Sequence, residues 1–179
     1  MRNIAKYLIK RYSFYLGGDQ PAVSWAERLR SCTGALVGLI VVFMLAKLLG
    51  EFVGINEWLM ASLGASALLV FALPWSPMAQ PWAVIAGNTL SALIGITAFI
   101  LIPEPLLAMP IAASLSMLGM VILRCLHPPA AAVSLIVVLG HISNYRYAFF
   151  PVLIDSVLLV LVAGIYSNLT GKQYPNRPK

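Results

Sequence analysis

The chain has 179 residues, 60% hydrophobic and 10% charged, with a mean hydropathy of +0.88. That mixture excludes an ordinary soluble domain and marks an integral membrane protein. The formal net charge of +6 comes from basic residues at the ends of apolar runs, where they read as orientation signals and lipid-headgroup contacts rather than a nucleic-acid surface.

Residues 1–31 form a cytoplasmic or interfacial N-terminal segment. "MRNIAKYLIKRYSFYLGGDQ" starts basic but lacks the apolar core and small-residue cleavage site of a leader peptide, so retention is expected. Ile4, Leu8, Tyr12 and Tyr15 fall near one helical face, which fits a short interfacial helix as well as a basic tail that only sets orientation.

Six apolar segments follow, at 32–49, 58–73, 82–102, 105–123, 128–140 and 148–169, separated by Gly, Pro and charged residues; 170–179 reads as a cytoplasmic tail. A full crossing takes about 20 helical residues. The first, third, fourth and sixth segments reach that length, whereas the second and fifth do not. The expected fold is therefore an all-α membrane bundle of four full helices plus two short or broken ones sheltered by the rest. With six crossings both termini share a side, and the positive-inside rule puts ten of the twelve Lys and Arg residues on the cytoplasmic side with them, leaving Lys47 and Arg146 outside.

The order full, short, full occurs twice. "GASALLVF" (64–71) echoes "PAAAVSLI" (129–136), and "QPWAVIAGN" (80–88) echoes "FPVLIDS" (150–156), which suggests a 3+3 inverted repeat of the kind that places a transport site at interrupted helices. Gly34 and Gly38, and the stripe Gly87, Ser91, Gly95, read as packing faces, within the chain or between protomers of a homo-oligomer. Trp25, Trp58, Trp75 and Trp82 flank apolar segments as interface anchors do.

The candidate site centres on "RCLHPPAAA". Proline turns the preceding residue away from helix and suits the first position of a new one, so one helix ends near Leu126 and another starts at Pro128. Such a start attracts anions through its dipole and free N–H groups. His127 sits there as a donor that can gain a proton, or as a lock on the turn; Pro128, Pro129 and Ala130 share the position, and Arg124 just before it is an anion attractor or a snorkelling anchor. Gly64, Ala65 and Ser66 in the short second segment form the companion surface. Asn88 and Asp155 are polar residues inside helices; a carboxylate at mid-membrane costs about 2.5–3.5 kcal/mol on insertion scales, so Asp155 needs a partner or a task. Cys32, Cys125 and two histidines are too few for a disulfide framework or a four-ligand metal centre, and neither a metal site nor a cofactor is expected. Paired carboxylates, a nucleophile elbow and a phosphate loop are missing, which argues against an enzyme.

These residues resemble the HPP family of integral membrane proteins: His127-Pro128-Pro129, the block "GASALLVFALPWSPMAQPWAVIAGN" (64–88) and the closing "YSNLTGKQYP" (166–175). The resemblance implies a multi-spanning bacterial inner-membrane protein with four membrane helices, and relatives associated with nitrite transport. The expected function is a transporter of a small inorganic anion. Its alternatives are a non-transporting membrane scaffold or regulatory subunit, and a passive anion channel.

Overall fold

A computed structural model of the chain describes residues 23–53, 60 and 62–176. The described residues form α1 (Trp25–Val53), α2 (Leu63–Ala72), a 3-10 turn (Pro77–Ala79), α3 (Pro81–Leu101), α4 (Pro105–Ile122), α5 (Pro128–Leu139), a π turn (Ala148–Leu153) and α6 (Ile154–Leu169). Four stretches are long and apolar enough to cross a bilayer: Trp25–Glu51, Pro81–Leu101, Pro105–Ile122 and Ala148–Leu169. At about 1.5 Å per residue, α2 and α5 are only about 15 and 18 Å long, roughly half of a hydrocarbon core.

Proline sets most of the helix starts. Gln80, Glu104 and His127 are extended and each precedes the proline that opens α3, α4 or α5. Phe150 (φ −136°, ψ 117°) does the same before Pro151, which splits the expected 148–169 helix into a π turn and α6. Helix α1 begins at Trp25 rather than at 32. No glycine or proline lies between them, and Ser24 Oγ accepts the Glu27 N–H at 3.3 Å, so Arg28 and Arg30 ride on the helix instead of preceding it. Helix α2 begins at Leu63 rather than 58; residues 54–59 and 61, like 1–22 with the interfacial-helix expectation and Trp58, lie outside the described residues.

The packing has the closure of two interlocked halves. The α1–α2 contact is matched by α4–α5, α1–α6 by α4–α3, and α2–α6 by α5–α3, while α2 meets α5 and α3 meets α6 between the halves. Helix α3 lies centrally, against α4, α5, α6 and the π turn. Apolar side chains such as Leu106, Met117, Ile122, Leu161 and Ile165 face outward, while Ser66, Asn88, Ser91, His127, Ser134, Asp155 and Ser156 are fully buried. A lipid-facing exterior and a polar centre are the arrangement a bilayer favours.

Glycine permits the closest contacts. A Cβ at Gly95 would lie 2.8 Å from Ser134 Cα and 2.9 Å from its carbonyl oxygen, so α3 and α5 touch backbone to side-chain-free backbone there. Gly34 and Gly38 receive the Phe71 ring within the chain, and Phe71 meets Tyr166 edge to face at 5.7 Å.

A polar clasp ties the ends of α1, α2 and α6 together. Arg30 Nη2 donates to Glu27 Oε1 at 2.6 Å and to the Phe71 carbonyl at 3.3 Å; Tyr166 Oη donates to the Arg30 carbonyl, and Lys172 lies 3.2 Å from Glu27. The segment expected as a tail packs back on the bundle: Tyr174 is buried and donates to the Ala79 carbonyl at 2.8 Å, and Asn176 N–H donates to Gln80 Oε1. Burial pushes the Tyr174 phenol well above its ordinary pKa, so it stays a donor.

Gly95→Ala should destabilise the detergent-purified protein by about 1–3 kcal/mol through overpacking. Gly64→Ala, whose new methyl meets nothing within 4 Å, should leave the thermal unfolding midpoint unchanged.

Candidate functional site

Four elements close a ring in the middle of the bundle. Between α2 and α5, Ser66 Oγ lies 2.9 Å from His127 Nε2. Between α5 and α3, a Cβ at Gly87 would sit 2.9 Å from His127 Cβ, so only glycine admits the imidazole there. Between α3 and α6, Asn88 Nδ2 donates to Ser156 Oγ at 3.1 Å. Between α6 and the backbone leading into α2, Asp155 Oδ2 accepts the Met60 N–H at 3.1 Å. Asn88 is seven residues into α3, about 10 Å along the helix axis from its start.

His127 is held at both nitrogens. Nδ1 lies 2.8 Å from the Met78 carbonyl, which can only accept, so Nδ1 carries the proton. In the neutral ring Nε2 is then an acceptor, and Ser66 O–H donates to it. Fully buried and bonded in this way, His127 locks the 3-10 turn, α2 and α5 together.

The two short helices differ at their starts. Pro128 and Pro129 have no N–H, and Ala130 N–H is taken by the His127 carbonyl at 2.9 Å, so the free donors expected at the start of α5 are not there. The donors around the start of α2 are engaged differently. Leu63 N–H turns back to the Met60 carbonyl, Ala65 and Ser66 N–H both reach the Ser62 carbonyl, and Met60 N–H goes to the Asp155 carboxylate. The Asp155 carboxyl thus lies beside the backbone that leads into α2.

Asp155 is completely buried with its second oxygen, Oδ1, unpartnered among the described residues, as are Asn88 Oδ1 and Ser62 Oγ. Such orphaned acceptors in an apolar bundle are costly unless a ligand, proton or water completes them.

The expected site residues divide. Ser66, Asn88, His127 and Asp155 are in the ring, with Pro129 and Ala130 buried behind His127. Gly64 and Ala65 face outward, and Pro128 lines a mostly apolar groove of about 430 Å³ with Met117, Met120, Leu126 and Ala131. Arg124 is exposed at φ +53°, in the turn that ends α4, where its N–H and that of Cys125 bond back to Val121 and Met120. Sequence reasoning missed the Met60 N–H, the Met78 carbonyl and Ser156. Two of these act through main-chain atoms that carry no residue signature, and only Ser156, beside Asp155, left a trace.

The model of the HPP transmembrane region matches residues 20–175. The chain belongs to the HPP family. Two proteins of Dictyostelium discoideum described as transmembrane proteins are similar to it, at 30% and 31% identity over 97% and 96% of this chain. The chain spans 58% and 64% of their lengths. No solved structure matches. The His-Pro-Pro that names the family is the segment that turns α4 into α5 around the buried His127.

Ser66→Ala removes the donor to a buried ring nitrogen and should cost about 1–3 kcal/mol. A lower thermal midpoint than that of wild type in the same detergent checks this, and an unchanged midpoint would show that the Ser66–His127 bond holds nothing.

Proposed function

We propose that this HPP-family membrane protein transports a small inorganic anion, such as nitrite, with the substrate held inside the ring where α2 and α5 begin. The observation that carries this reading is the fully buried Asp155 carboxyl: its Oδ2 accepts the Met60 N–H on the backbone leading into α2, and its Oδ1 has no partner among the described residues. Two short helices meeting inside crossing ones is the arrangement from which secondary transporters build such sites. The resemblance to relatives associated with nitrite transport supports the choice of a small oxyanion.

In this reading the Met60 N–H, on the backbone leading into α2, supplies the donor. His127 holds α2 against α5, and Gly87 leaves room for it. Asn88 and Ser156 join the α3 and α6 walls. The clasp at Arg30, Glu27 and Lys172 closes one end of the bundle, taken in this proposal as the cytoplasmic end on the positive-inside rule.

Purified protein in liposomes should take up nitrite saturably, tested beside nitrate, formate and chloride. His127→Ala should reduce that uptake to the level of protein-free liposomes while the variant still purifies as folded protein; wild-type kinetics in the variant would remove His127 from the mechanism. Flux that never saturates would indicate a channel, and no flux for any of the four anions would indicate a scaffold.

A further inference from the structure

We infer that Asp155 is a built-in substitute for the transported anion, displaced from the α2 start when it takes up a proton, so that one proton travels with each anion. The inference rests on the transport reading above and adds to it the coupling ion and the group that carries it.

Asp155 lies in the first turn of α6, directly after the π turn and the Phe150–Pro151 break. Its Oδ2 receives the Met60 N–H and its Oδ1 receives nothing among the described residues. No described cation compensates it. Helices α2 and α3 and the π turn, all packed on α6, bear no acidic, basic or histidine side chain, and Tyr147 lies just before that turn. On α1, Lys47 is 3.8 Å from Glu51 with both side chains well exposed, and Arg30 and Glu27 are in the clasp with Lys172. His127 is engaged by Ser66 and Met78.

A lone buried carboxylate is relieved by a cation, a ligand or water, or a proton, and with no described cation facing it a proton is the charge that neutralises it. Ionised, Asp155 occupies the Met60 N–H on the backbone leading into α2 and repels a second negative charge. Protonated, it is a weaker acceptor for Met60 N–H and gains an O–H donor on the unpaired oxygen. One proton adds to one carboxylate oxygen and no other bond is made or broken. An incoming anion then takes the Met60 N–H and the new O–H together, which neither the ionised side chain nor the proton alone permits. The sign follows: an anion beside Asp155 favours its protonated form, so proton uptake and anion binding strengthen each other.

The test is nitrite and formate uptake into proteoliposomes with and without an inward proton gradient, for wild type and Asp155→Asn, with protein-free liposomes subtracted at each pH. The gradient should accelerate wild-type uptake, and a pH dye should record one proton entering per anion. Asp155→Asn keeps the shape but cannot ionise, so its uptake should no longer respond to the gradient. Wild-type uptake indifferent to the gradient, or a variant as responsive as wild type, would overturn the coupling role while leaving transport in place. Wild-type protein that moves no anion would instead overturn the transport reading, and this inference with it. A second readout needs no activity from the variant. Infrared difference spectra of wild type should show a protonated-carboxyl C=O band growing when nitrite is added at constant pH. That band must be missing in Asp155→Asn, and its persistence there would assign the proton to another group.

Discussion

Every backbone N–H and C=O inside a bilayer must find a partner within the protein, and a helix that stops halfway leaves several of them needing one. Helices α2 and α5 both stop halfway, so the rest of the bundle is arranged around their ends. At the start of α5, Pro128 and Pro129 remove two donors and the His127 carbonyl accepts the third. At its end, His141 at φ +52° turns the chain so that its N–H and that of Ile142 reach Val138 and Val137. The end of α2 is met by the Arg30 guanidinium on the Phe71 carbonyl. The start of α2 is met by Asp155.

Those four solutions are not equivalent. Three are made of backbone turns, prolines or an arginine tied into an ion-pair clasp. The fourth uses a carboxyl group whose second oxygen has no partner among the described residues. The polar ring runs from this position to His127 through Ser66 on one side and through Ser156, Asn88 and Gly87 on the other. Rigid contacts surround it: Gly95 lets α3 and α5 meet at backbone distance, and Phe71 fills the space left by Gly34 and Gly38.

Much of this was legible in the residues. Segment lengths separated four crossings from two short helices, and the X-Pro dipeptides marked where α3, α4 and α5 begin because proline constrains its neighbour whatever the tertiary context. His127, Ser66, Asn88 and Asp155 stood out as polar groups in apolar runs, and all four are in the ring. The start of α1 was misplaced because two arginines read as the edge of a membrane segment although nothing there breaks a helix. Gly64, Ala65 and Arg124 looked like site residues by proximity in sequence. Which face of a short helix turns inward depends on packing against α3 and α6, which local sequence does not encode. Donors were expected at the His-Pro-Pro start from helix dipoles in general, yet the prolines themselves remove them, and the partner of Asp155 is a main-chain N–H.

The chain has two histidines, His127 in the ring and His141 exposed beside Phe99. Nitrogen-15 labelling of histidine alone therefore gives a direct view of the proposed site by solid-state NMR of the protein in lipid. With no anion present, His127 should show a protonated Nδ1 and an unprotonated Nε2. Adding nitrite should shift the His127 Nε2 resonance saturably, as the α2 start and Ser66 respond, and should leave His141 unmoved. A His127 spectrum unchanged at nitrite concentrations that saturate uptake would contradict the placement of the anion where α2 and α5 begin.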